Sequence, residues 1–131
     1  MIGVDTNVLL RAIMLDDRRQ AEQARKFLNN RTPANPAVIN TVVLAELAWS
    51  LRSSFGLPRD EIASILRDMI SSDAFYFIDR TAVARALASY ESGYGQFTDR
   101  LIAEVNDAHG CGTTVTFDVA AAKQPPFSRV P

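Results

Sequence analysis

Residues 1–11, MIGVDTNVLLR, contain a short apolar run that ends at Asp5 and then passes into a helical pattern. Near the other end of the chain, residues 112–117, GTTVTF, form a second run that ends at Asp118. Both runs predict strands with an Asp at the carboxyl end. Ligands of open parallel sheets bind outside the carboxyl ends of the strands, so the sequence allows these two Asp residues to be neighbours.

Strand-like and helix-like segments alternate between these two runs, which predicts an α/β fold with a central, mostly parallel sheet flanked by helices. We expect a single domain over residues 1–131, in which three prolines leave residues 123–131 loosely held. The predicted strands are 1–4, 37–39, 75–78 and 112–117, and the predicted helices are 6–13, 18–28, 41–54, 58–70, 79–90 and 97–110.

Composition excludes several classes of protein. An apolar content of 47% is incompatible with disorder. A net charge of −1 gives no bulk positive field of the kind typical of nucleic-acid binders, but it neither supports nor excludes an RNA partner. The single His and single Cys exclude a histidine-based zinc site, a Ser-His-Asp triad with a spare base and an internal disulfide. Because the sequence has no charged-then-apolar leader and no long apolar span, we expect a cytoplasmic protein without a membrane segment.

Four carboxylates stand at ends of strands or within helices: Asp5, Glu46, Asp99 and Asp118. Each Asp has a structural alternative, because Asp commonly caps a helix or lies in its first turn. Glu46 differs, since it falls in a nearly continuous apolar helix where an unpaired charge is costly to bury. It therefore requires a cation, either a metal ion or one of the arginines Arg11, Arg52 and Arg100.

A divalent metal ion is the leading explanation for the four carboxylates together. Mg²⁺ and Mn²⁺ prefer hard oxygen ligands, and clustered carboxylates would repel one another without such an ion. The sequence therefore predicts a Mg²⁺ or Mn²⁺ site.

The same residues carry a family likeness, in four motifs that keep their order and separation over about residues 1–122. These are Met-Ile-Gly-Val-Asp5-Thr6-Asn7-Val-Leu-Leu-Arg11, Val42-Val43-Leu44-Ala45-Glu46-Leu47, Phe97-Thr98-Asp99-Arg100-Leu101-Ile102-Ala103, and Gly110-Cys111 followed by Thr116-Phe117-Asp118. The chain resembles PIN-domain ribonucleases of the VapC toxin type.

The resemblance implies a magnesium- or manganese-dependent endoribonuclease that cuts RNA, is inhibited by a VapB-like antitoxin and forms homodimers. Asp5, Glu46, Asp99 and Asp118 match the family's acidic quartet, which serves as catalytic and metal-binding residues. Thr6, Asn7 and Thr116 lie nearby as hydrogen-bonding support. In such a site Asp5 and Asp99 would bind the metal directly, while Glu46 and Asp118 would act through water.

Two positions depart from the family pattern. Gln96 stands where members often have a further Asp, so the metal would be held less strongly. Arg100 replaces a small residue, and we expect it to face solvent rather than to contact RNA phosphate or pair with Glu104.

A different class of function also remains open. The chain can be a catalytically weak or silent member of the same fold that acts only as an RNA-binding or protein-interaction module. A receiver-like phosphoacceptor or a haloacid-type phosphatase is disfavoured, because Asn7 stands where the latter would need a second Asp.

Overall fold

The computed structural model describes residues 1–131, which divide into two compact units, Met1–Ile78 and Asp79–Pro131. Along the chain the elements are β1 (Ile2–Gly3), α1 (Thr6–Met14), α2 (Arg18–Asn29), β2 (Ala37–Ile39), α3 (Thr41–Ser53), α4 (Arg59–Ser71), β3 (Phe75–Phe77), α5 (Arg80–Glu91), α6 (Phe97–Ala108), β4 (Thr114–Thr116), a 3-10 turn (Ala121–Lys123) and β5 (Phe127–Arg129).

The first unit is built on a three-stranded parallel sheet in the order β1-β2-β3. Ile39 of β2 is in register with Phe77 of β3, and both side chains are buried. Val38 and Tyr76 are in register on the opposite face, where Tyr76 is exposed. Since successive side chains of a strand point to opposite faces, one face of this sheet carries the core.

Helix α3 provides much of the core of the first unit. Its buried side chains follow the spacing of one helix face and are Val43, Leu44, Leu47, Ala48 and Leu51. The Asn40 side chain begins the helix by accepting a hydrogen bond from the Val43 N–H at 2.9 Å.

The second unit pairs α5 with α6 and contains a two-stranded parallel sheet of β4 and β5. Tyr90 and Phe97 are fully buried, and their rings meet edge to face with centroids 6.0 Å apart. Helix α6 ends at Ala108, and His109 is its C-cap residue. In β4, Thr114 is in register with Phe127 of β5.

The α/β fold with parallel strands and flanking helices is confirmed, with helix bounds within one or two residues of those predicted. Residues 123–131, which the sequence predicts to be loosely held, contain β5, whose backbone continues the pairing through the Val130 N–H to the Thr116 carbonyl at 3.2 Å. The sequence does not predict this pairing, because β5 is only three residues long and follows Pro125 and Pro126, which are signals of a loop. None of the helices is long and apolar enough to span a membrane.

Candidate functional site

Asp5 connects β1 to α1 and is exposed. One of its carboxylate oxygens accepts the Thr6 N–H at 2.8 Å, so Asp5 is the N-cap of α1, the structural role that the sequence left open. Its other oxygen has no hydrogen-bond partner. Thr6 itself is buried, and its Oγ1 has no partner. The start of α1 therefore holds one carboxylate oxygen and one buried hydroxyl that protein groups do not satisfy.

Asp5 also lines a cavity of about 520 Å³ in the first unit. The cavity lies against β1 and between α1 and α2, and Asn7 and Arg11 contribute to its wall. Arg11 does not pair with Glu46, because its guanidinium is held by Asp16 at 2.9 and 3.0 Å and by Gln20 at 2.7 Å.

The expectation that Glu46 is buried is wrong. The buried face of α3 is carried by the aliphatic residues described above, such as Leu44 and Leu47, and Glu46 lies on the exposed side with Val42 and Trp49. These three residues follow the spacing i, i+4, i+7, which places them on one stripe of the helix. Glu46 forms no ion pair, so an arginine is not its cation, and an exposed carboxylate has no need of one.

Asp99 and Asp118 are brought together in the second unit, although they lie 19 positions apart in the chain. Both line one cavity of about 350 Å³, which Gln96, Arg100 and Gln124 also line. Asp99 lies in the first turn of α6, as predicted, and its carboxylate has no ion pair or hydrogen bond. Gln96 is the residue before α6 and makes no side-chain cap.

Asp118 is fixed by two short-range hydrogen bonds. Its backbone N–H donates to Thr116 Oγ1 at 3.0 Å, and its Oδ1 accepts the Ala121 N–H at 3.0 Å. Thr116 therefore supports Asp118 through its hydroxyl. The second carboxylate oxygen of Asp118 has no partner, so it is available to a ligand in the cavity.

The family is shown by a match that covers nearly the whole chain. A family model for the PIN domain matches residues 2–125. The chain belongs to the PIN domain family. PIN domains are generally nucleases that use divalent metal ions. No curated protein and no solved structure matches the chain.

The carboxylates of this PIN domain fit the chemistry of a divalent ion. Asp99 and Asp118 offer hard oxygen donors without cationic partners at one cavity, and Mg²⁺ is commonly bound by one or two carboxylates together with waters and substrate phosphates. Neither unit by itself gathers three or more His, Cys, Asp or Glu side chains in a position to hold a metal ion. Participation of all four carboxylates in one site stays a prediction.

Arg100 is a second residue whose predicted position is wrong. It is 5% exposed rather than facing solvent, because it shares the buried face of α6 with Phe97 and Leu101, at the spacing i, i+3, i+4. One Nη donates to the Pro125 carbonyl at 3.0 Å, whereas the buried Nε has no partner. The helical spacing from Phe97 is the sequence signal that places Arg100 on this face, although only tertiary packing decides that the face is covered.

Proposed function

We propose that this PIN domain is a metal-dependent endoribonuclease that hydrolyses RNA phosphodiester bonds with Mg²⁺ or Mn²⁺. The observation that carries the proposal is the cavity that Asp99 and Asp118 share, in which both carboxylates keep oxygens free of protein partners. Membership of the PIN family supports nuclease activity, and the family suggests an RNA partner.

The assignment of ligands follows the acidic quartet. Asp5 and Asp99 would bind the metal directly, and Glu46 and Asp118 would act through water or orient the attacking water. When bound, the ion would polarise the phosphoryl oxygen and lower the pKa of a bound water. Thr116 would hold Asp118 in position through the hydrogen bond to its backbone N–H.

The biological setting that we propose is a VapBC-type toxin–antitoxin pair, in which this chain is the toxin. A VapB-like antitoxin would inhibit it by inserting an arginine among the carboxylates, which would compete directly with the metal. We further propose that the toxin is a cytoplasmic homodimer.

The test of this function is a cleavage assay on a structured RNA mixture with Mg²⁺ or Mn²⁺, with EDTA as one control. Asp5→Asn should abolish cleavage, because the amide removes the negative charge that attracts the metal. Asp68→Asn is the matched control, since Asp68 is an exposed carboxylate of α4 outside both cavities, and it should cleave like the unchanged protein.

Circular dichroism must show that both variants are folded. Full activity of Asp5→Asn would contradict the site assignment. Metal-independent binding of RNA without any cleavage, by protein free of antitoxin, would instead favour the silent RNA-binding module. The observation behind this alternative is that Gln96, an uncharged side chain, lines the cavity of Asp99 and Asp118.

A further inference from the structure

We propose that the cavity beside Asp5 binds one unpaired purine base of the RNA substrate, an inference that rests on the proposed nuclease function. The cavity lies wholly within the first unit and has a volume of about 520 Å³. Sites for small ligands commonly measure about 300–1,000 Å³. The space therefore suits a nucleotide, and no role in metal binding accounts for its size.

The lining combines apolar surface with amide groups that have no partner. Val8 of α1 and Ala24 and Phe27 of α2 provide apolar surface. Asn7 and Gln23 face the same cavity and are exposed, and their side-chain amides make no hydrogen bond within the protein. A flat ring bound against this lining would make apolar contacts through its faces and hydrogen bonds with donors and acceptors at its edge.

Arg11 is a preorganised donor in this cavity. Its Nε donates to Gln20 Oε1 at 2.7 Å, and one Nη donates to both Asp16 carboxylate oxygens at 2.9 and 3.0 Å. The other Nη has no protein partner. Because hydrogen bonds to Gln20 and Asp16 already orient the guanidinium, binding a ligand through the remaining nitrogen costs less side-chain entropy.

These groups favour a purine over a pyrimidine. Asn and Gln amides pair with the donor and acceptor at the adenine edge, and the free Nη of Arg11 can donate to an acceptor at the guanine edge. RNA-binding proteins generally read unstacked bases by stacking and by hydrogen bonds to these edges. The ring of Phe27 is itself held by the Arg31 guanidinium, which lies 4.5 Å from its centroid.

Because of the position of the cavity, a base bound there would influence which bond of the RNA is cut. Asp5 lines the cavity and is one of the proposed direct metal ligands. A base held there would lie next to the scissile phosphate, so its identity would select the bond that is cut. The cavity would then set the sequence preference of the nuclease.

The test is a binding measurement on the full chain in which cleavage is blocked by Asp99→Asn, a residue that does not line this cavity. Fluorescence anisotropy in Mg²⁺ would compare labelled oligouridines that carry A, G, C, U or an abasic site at one central position. We expect the A and G oligonucleotides to bind at least about fivefold more tightly than the other three.

Variants in α2 test whether the purine preference depends on the cavity. Gln23→Leu keeps the size of the side chain and removes its amide, and it should reduce the purine preference to within about twofold. Glu22→Leu is the matched control, because Glu22 is the exposed neighbour that pairs with Arg18 instead of lining the cavity, and it should retain the preference.

Equal affinity for all five oligonucleotides, absence of RNA binding, or a preference unchanged by Gln23→Leu would overturn the base site. Cleavage by the protein with unchanged Asp99 is measured separately. A purine preference lost in Gln23→Leu without any metal-dependent cutting would reject the nuclease and leave the base site standing. Cutting that is indifferent to the neighbouring base would reject the base site and leave the nuclease standing.

Discussion

At the scale of single residues, Arg100 combines a full positive charge with almost complete burial. Taking a guanidinium out of water is costly unless its donors are bonded, and only the contact to the Pro125 carbonyl is made, while Nε stays without a partner. The aliphatic part packs near Gly95, where an added Cβ would lie 3.6 Å from Arg100 Cδ. Arg100 therefore stabilises through packing and one hydrogen bond, against a desolvation cost.

Replacing Arg100 should separate these contributions. Arg100→Ala loses both the packing and the hydrogen bond, so we expect the free energy of unfolding to fall by about 2–3 kcal/mol. Arg100→Met keeps much of the volume and removes the unbonded donor, so the loss should be about 1 kcal/mol or less. Urea denaturation measures both.

Arg52→Ala is the control for Arg100, because Arg52 is exposed and makes no ion pair, and it should change stability by no more than about 0.5 kcal/mol. A similar small change for Arg100→Ala would show that the buried guanidinium contributes no net stability.

Gln96 offers a second test at this scale, because it faces the cavity of Asp99 and Asp118 without adding charge. Gln96→Asp supplies a third carboxylate there, and we expect Mn²⁺ to bind roughly tenfold more tightly by calorimetry, since ligand charge tunes the affinity of oxygen sites. Gln96→Asn, which shortens the side chain without a charge, is the control. No gain for Asp over Asn would argue against metal binding in this cavity.

At the scale of elements, helix α3 has one face buried in the core and another face exposed. Its core face is formed by aliphatic side chains, whereas Val42, Glu46 and Trp49 lie on the exposed stripe. The apolar residues of α3 are therefore mostly buried, apart from Val42 and Trp49. Glu46 is exposed because of its position on the helix, and not because of packing around its carboxylate.

The cap of α3 can be tested without touching either cavity. Asn40→Ala removes the acceptor of the Val43 N–H, and we expect unfolding free energy to fall by about 0.5–2 kcal/mol. Asn40→Asp should retain most of the stability, since Asp caps helices as well as Asn does. Thermal and urea denaturation measure the change. Equal loss in both variants would mean that the amide group of Asn40, and not its capping oxygen, is what matters.

At the scale of the whole molecule, the chain folds as two compact units that both use parallel strands. The last residues belong to the second unit through more than the strand β5. Pro125 accepts from Arg100, and the Pro126 carbonyl accepts the Thr113 hydroxyl at 2.8 Å and the Thr114 N–H at 3.0 Å. These bonds connect the end of the chain to α6 and β4.

Truncation of the chain should show how much these hydrogen bonds contribute to stability. A chain that ends at Lys123 loses β5 and the partner of Arg100, and we expect it to be at least about 3 kcal/mol less stable, because several hydrogen bonds and their packing are removed. A chain that ends at Arg129 loses one backbone hydrogen bond and should lie within about 1 kcal/mol of the full length. Urea denaturation compares the two. Equal stability of both would mean that residues 124–129 are only loosely held.

What the sequence determined by itself was local: the alternation of strands and helices, the capping position open to Asp5, and the first-turn position of Asp99. These follow from periodicity and from side chains that reach backbone groups a few residues away. Tertiary structure alone decided that Glu46 is exposed, that Arg100 is buried and that β5 pairs with β4. Periodicity shows which residues share a face. Whether that face is covered, and which strands pair, depends on contacts between residues that are not neighbours in the chain.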